Sequence, residues 1–134
     1  MKVILDTNVF VAGVFFSGPP YAILDAWRHG RVSLVVSPEI MEEYRRVVHE
    51  LADEFPAIDP GPPLELVAVH AEFVDALPLP VPVCTDASDD IFLACAVASR
   101  TRIIVSGDKA LLRASGYEGV EVLTPRSFVD KHLK

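Results

Sequence analysis

Lys2-Val3-Ile4-Leu5-Asp6-Thr7-Asn8 opens the chain, and its reading decides the fold. Val3-Ile4-Leu5 is a short apolar run without polar alternation, the pattern of a strand buried on both faces. A carboxylate stands directly behind it. Thr7 and Asn8 come next, and this trio offers capping side chains for a helix over about Val9–Phe15. A buried strand running straight into a helix is a β-α unit, and the rest of the chain continues in the same manner.

Ser17-Gly18-Pro19-Pro20 breaks the first helix, and Tyr21 to His29 carries apolar residues at helical spacing, with Gly30 as its natural stop. Val32–Val36 reads as the second strand. Ser37 suits an N-cap and Pro38 the first helical position, for a helix reaching about Glu54. Pro56 to Pro63 is a proline-rich connector, and Leu64 to Asp75 reads as a helix. Pro78, Pro80 and Pro82 then interrupt the chain, so a strand at Val81–Cys84 would be short. Asp89–Arg100 is a helix apolar almost all round, hence deeply buried. Arg102–Val105 is a strand, Lys109–Ala114 a short helix and Val120–Leu123 the last strand, and Pro125 starts a terminal helix. The alternation predicts a three-layer α/β/α domain spanning residues 1–134, with a central parallel sheet of about five strands and no internal repeat.

At 134 residues, 51% of them hydrophobic, the chain can bury a sizeable core. Its two cysteines, Cys84 and Cys95, lack zinc-site spacing and read as reduced, packed thiols of a cytoplasmic protein. The apolar stretch up to Phe16 imitates a signal peptide, but Asp6 and Asn8 interrupt it and it is too short to span a bilayer. No membrane association is expected. The net charge of −7 argues against a generic nucleic-acid binder. That excess is local: residues 37–75 hold ten acids against two arginines, whereas residues 76–134 balance seven against seven.

Chemistry is written in four scattered acids. In an open parallel sheet, ligands bind beyond the carboxyl ends of the strands. Asp6 lies just past the first strand, Asp108 two residues past Ser106 at the end of another, and Asp89 opens the buried helix. Each alone could be a plain helix cap. Three at strand ends together point to a site, because buried carboxylates are costly unless something positive holds them. Glu43 joins them by geometry: at roughly 100° per residue it lies at the shoulder of the apolar face formed by Ile40, Tyr44, Val47, Val48 and Leu51. Glu42 faces water, and Glu39 and Glu50 lie further out than Glu43. A glutamate that merely reaches solvent is the bland alternative. Asp89 shares a stripe with Phe92, Leu93 and Ala96 and is preferred as the third acid; Asp90 projects about 100° away and is the runner-up. Asp86 precedes the helix and either caps it or supports the site. Four hard carboxylates suit one or two Mg²⁺ or Mn²⁺ ions, which points to metal-assisted phosphodiester hydrolysis.

These segments resemble the PIN-domain ribonucleases, in particular the branch of toxins from toxin–antitoxin pairs. Val3-Ile4-Leu5-Asp6-Thr7-Asn8-Val9 is similar to the family's first motif, and the stretch from Ser37 to Val47 to its second, with the acidic ligand on Glu43. Asp86 to Ala96 resembles the third, placing the ligand on Asp89, and Val105 to Leu112 the fourth, carrying Asp108. The stretch from Val122 to Phe128 also fits that branch. The resemblance implies supporting roles for Thr7, Asn8 and Ser106, and a five-stranded parallel sheet. It also implies single-stranded RNA as substrate, Mg²⁺ or Mn²⁺ as cofactor, homodimers and a cognate antitoxin protein. One departure leaves the third ligand open: Ala87-Ser88 stand where the branch often has a proline between its acids, and Asp90 adds a further one.

Lys109 and Arg113 flank the expected crevice and are candidates for RNA backbone contact. Arg45 and Arg46 are weaker candidates, since a solvated helix face explains them equally. No histidine accompanies a serine or cysteine in a nucleophilic pattern. Trp27 and Tyr21 read as core or dimer-contact residues, and Tyr44 as a packing residue. Two other functions compete: a catalytically silent module that uses the acids for docking a partner protein or RNA, and an aspartyl-phosphate domain. The latter fits poorly, because Asp6-Thr7-Asn8 lacks a second acid.

Overall fold

Val3, Ile4 and Leu5 are wholly buried because their strand is the middle one of the sheet. The computed structural model describes residues 1–134. β1 (Lys2–Leu5) pairs in parallel with β2 (Ser33–Val36) on one side and β4 (Ile103–Val105) on the other. β3 (Glu72–Phe73) and β5 (Glu121–Leu123) form the two edges, so the parallel order is β3-β2-β1-β4-β5. The chain builds outward from β1 to β3, then crosses back to β4. The switch in direction falls between β1 and β4, where such sheets form their ligand crevice.

Helices α1 (Thr7–Phe15), α2 (Pro19–Arg28), α3 (Pro38–Ala52), α4 (Gly61–His70), α5 (Asp90–Ser99), α6 (Lys109–Arg113) and α7 (Pro125–Phe128) flank the sheet and complete a three-layer α/β/α arrangement. α7 runs on into a single π-helical turn over Val129–Leu133. α5 packs across β1, β2 and β4 and buries Phe92 to Ala96 without a break, as its uniformly apolar sequence requires. One hydrophobic core of 32 buried residues joins both sides. No single helix is long and apolar enough to cross a membrane; α1 and α2 pass such a test only as a pair bent by 87°.

Two expected elements differ. The helix expected over Leu64 to Asp75 starts earlier, at Gly61 within the proline connector, and stops at His70, and Glu72-Phe73 becomes the edge strand, paired with Val35 and Val36. Phe73 and Val74 continue an apolar pattern that reads as helix locally, but the open edge of β2 captures them, and no sequence window contains that partner. Residues 81–84 form no strand at all. Alternating prolines deprive the segment of ladder donors, and the N–H groups of Val83 and Cys84 go to the Asp90 carboxylate instead.

Candidate active site

The register of the central strands assembles the first part of the site. Ile4 pairs with Ile104 and Leu5 with Val105, so Asp6 and Ser106 emerge side by side. The backbone N–H of Asp6 donates to the Val105 carbonyl at 2.9 Å, continuing the ladder by one residue. The Ser106 hydroxyl, fully buried, donates to Asp6 Oδ2 at 2.7 Å. Ser106 Oγ in turn accepts from the backbone N–H of Asp108 at 2.9 Å. Ser106 thus ties two of the motif acids together through one hydroxyl.

Asp6 occupies the N-cap position of α1, yet its side chain makes no capping hydrogen bond. The residue is only 4% exposed, and its Oδ2 is held by the Ser106 hydroxyl rather than by a helix-capping N–H. Burial raises its pKa; the Ser106 and Thr7 hydrogen bonds oppose this, while Asp108 and Glu43 add repulsion in the same direction as burial. Those two acids therefore lie within electrostatic reach of Asp6. Glu43 is half-buried and accepts from the Thr7 hydroxyl at 2.6 Å, which anchors it to the first turn of α1. Beneath it, Tyr44 stacks on Phe10 with ring centroids 4.3 Å apart, and its buried hydroxyl donates to the Leu5 carbonyl. Tyr44 is a packing residue, as expected, but it also fixes the backbone immediately before Asp6.

Asp89 ends a 3₁₀ turn (Ala87–Asp89) and precedes α5 without capping it. It is 8% exposed, and its Oδ2 is buried with no hydrogen-bond partner. Burial first, then the charges of Asp108, Asp6 and Asp86, and last a hydrogen bond that the protonated carboxyl makes to Asp108, push its pKa up to about 7; ionised, it has no donor for Oδ2. An unpartnered buried carboxylate oxygen is rare and costly. Asp108 does cap: its Oδ1 accepts from the backbone N–H of Ala110 at 2.8 Å. Capping accounts for Asp108 in part, and for neither Asp6 nor Asp89.

The supporting residues divide. Thr7 and Ser106 bond directly to motif acids. Asn8 is exposed on the first turn of α1. Asp86 caps the 3₁₀ turn, accepting from the N–H and hydroxyl of Ser88. Asp90 directs both oxygens to the segment before it, at 3.1 Å from the Val83 nitrogen and 2.8 Å from the Cys84 nitrogen. Although burial pushes the other way, those N–H groups and the Cys84 thiol hold its carboxyl below the ordinary value. Asp90 is thereby engaged elsewhere, and Asp89 is the acid left facing Asp6 and Asp108. Cys84, which no sequence motif singles out, is buried against this cluster: burial, Asp90, then Asp89 and Asp108 push its thiol up to about 12.

Among the basic candidates, Arg45 pairs with Glu42 and Arg46 with Glu50 along the solvated side of α3. Arg46 also lines a groove with Pro38, Glu39 and Glu42 that reaches Glu43. Lys109 is exposed on the first turn after Asp108, and the Arg113 side chain folds back to donate to its carbonyl at 3.2 Å. Trp27 lies in the core, whereas Tyr21 is exposed beneath the Arg28 guanidinium. An apolar cavity of about 290 Å³, lined by Leu79, Ile91 and Ala94 among others, lies behind the proline segment and reaches Asp90 but none of Asp6, Glu43, Asp89 and Asp108.

Hard carboxylate oxygens, one of them buried and unpartnered, fit a divalent cation such as Mg²⁺ or Mn²⁺. The acids influence one another, yet no three His, Cys, Asp or Glu side chains are gathered into a ready-made ligand group. Comparison with curated proteins gave no match. A family model described as PIN domain matches residues 2–110, the span that holds Asp6, Glu43, Asp89 and Asp108. The chain therefore belongs to the PIN-domain family, whose members are in general nucleases and typically use divalent metal ions.

Proposed function

We propose that the protein is a metal-dependent endoribonuclease that hydrolyses single-stranded RNA, with Asp6, Glu43, Asp89 and Asp108 holding one or two Mg²⁺ or Mn²⁺ ions. The observation that carries this reading is the pair of buried carboxylates, Asp6 and Asp89, that cap nothing at the switch point of a parallel sheet. A bound ion supplies neutralisation of charge at phosphate oxygens and a lower pKa for attacking water. The chain supplies the rest. Ser106 and Thr7 orient Asp6 and Glu43, and a carboxylate oxygen of the four that is left free of the ions would direct the water. Lys109 and Arg113 contact the RNA backbone, with Arg45 and Arg46 on the flank.

The product ends test the chemistry. Attack by water leaves a 5′-phosphate and a 3′-hydroxyl; a 2′,3′-cyclic phosphate would mean that the RNA's own 2′-hydroxyl attacked, which this reading forbids. Asp6→Asn is expected to lower cleavage at least about a hundredfold, the scale of losing a preorganised charged group, while circular dichroism stays that of the wild type. Activity surviving in that variant would defeat the assignment. The biological role that fits is the toxin of a toxin–antitoxin pair, acting in the cytoplasm as a homodimer and held in check by a cognate antitoxin. A neighbouring gene for a small DNA-binding protein would support that role.

One observation favours a second reading, a silent module that docks a partner: the acids are not drawn into a compact ligand group. Under that reading Mg²⁺ neither binds nor stabilises the protein.

A further inference from the structure

Between β3 and the 3₁₀ turn the chain is fastened at one end by one side chain. Residues 75–85 take part in no backbone-to-backbone hydrogen bond, and Pro78, Pro80 and Pro82 have no N–H to give. Leu77 and Val81 face solvent, 85% and 62% exposed, while Leu79 and Val83 are half-buried against the core. The segment is extended, apolar and weakly tied. Its N–H groups at Val83 and Cys84 both end on Asp90, one on each carboxylate oxygen. Cys84, at the end of the segment, is buried, and its N–H lands at 2.8 Å on the residue that follows Asp89.

We propose that Asp90 is a positioning residue: its carboxylate clips the proline segment onto the start of α5, so that Cys84 stays buried and the turn carrying Asp89 is held in place beside Asp6 and Asp108. Two adjacent acids then do opposite work. Asp89 turns into the crevice with an oxygen left unpartnered, and Asp90 turns out and spends both oxygens on backbone. What Asp89 does once positioned rests on the nuclease reading; the clip itself does not.

Two readouts on the full chain separate these statements. The first is maleimide labelling of the two thiols, located by peptide mass. Cys84 reports the segment, and Cys95, fully buried in α5, reports global unfolding. The second is affinity for Mn²⁺ alone. Asp90→Ala is expected to label Cys84 at least about tenfold faster through local opening, with Cys95 unchanged. Mn²⁺ affinity is expected to fall on the order of 10- to 100-fold, as for other residues that orient ligands. Asp90→Asn, which keeps one acceptor oxygen, should fall between Ala and the wild type on both. If Asp90→Ala labels both thiols together, the Asn variant decides on the same readouts. Cys84 labelling as slow in the variants as in the wild type overturns the clip. Mn²⁺ affinity lost while Cys84 stays shielded makes Asp90 a ligand and overturns the positioning role, as does affinity unchanged while the segment opens. A wild type that binds no Mn²⁺ counts against the nuclease reading, and Cys84 protection still decides the clip.

Discussion

Asp89 in the folded chain titrates at about 7, well above the 3.8 of a free aspartate, and Asp6 is displaced in the same direction. Between those pH values the folded state keeps a proton that the unfolded state has released. Stability of the metal-free protein therefore falls as pH rises from about 4 to about 7, and the full destabilisation is present above that range. Asp89→Asn should flatten this slope in urea titrations and stabilise the metal-free protein at pH 8 by at least about 1 kcal/mol, close to one pKa unit. A slope unchanged by the substitution would contradict the burial and repulsion assigned to Asp89. The burial of Asp89 rather than Asp90 was legible in sequence, because only Asp89 shares the inward stripe with Phe92 and Leu93. The task of Asp90 was not: its partners are backbone groups of Val83 and Cys84, and no side-chain pattern announces them. Asn8 holds a motif position in the sequence and is exposed on the first turn of α1 in the fold.

Elements whose identity rests on local pattern came through the folding of the chain nearly unaltered. β1 spans Lys2–Leu5, as its apolar run predicts, and α3 begins at Pro38 with Ser37 accepting from the Ile40 N–H. β3 was illegible, because two residues become a strand only when β2 lies beside them. The join of α1 to α2 carries its own test. The two helices bend by 87° and meet at Gly13, where an added Cβ would stand 2.6 Å from Leu24 Cδ1 and 2.9 Å from the Pro20 carbonyl oxygen. Gly13→Ala should therefore destabilise by about 1–3 kcal/mol as an overpacked contact, measured by urea unfolding. Helix propensity alone gives alanine the advantage by about 1 kcal/mol, so a stabilised variant would mean that the helices separate at little cost.

At the scale of the molecule, sheet order explains why distant acids meet. Asp6 and Asp108 are separated by almost the whole chain, yet β1 and β4 are neighbours, and Ser106 bridges the two. Parallel alternation was readable from the sequence, and the location of the crevice followed from the strand ends. The angles at which the side chains leave those ends were not readable, because tertiary packing sets them: Tyr44 on Phe10, Thr7 on Glu43, the Cys84 N–H on Asp90. The charge balance also makes sense at this scale. The acid excess sits in residues 37–75, whereas Lys109 and Arg113 follow it in a stretch where acids and bases balance. The most direct test of the central claim is the thermal midpoint of the wild type and of Asp6→Asn across a Mn²⁺ titration. The wild-type midpoint is expected to climb with metal, gaining about 2.7 kcal/mol at a hundred times the dissociation constant, while the variant stays nearly flat. A wild type indifferent to millimolar Mn²⁺, or a variant that gains as much, would contradict a metal site built on these carboxylates.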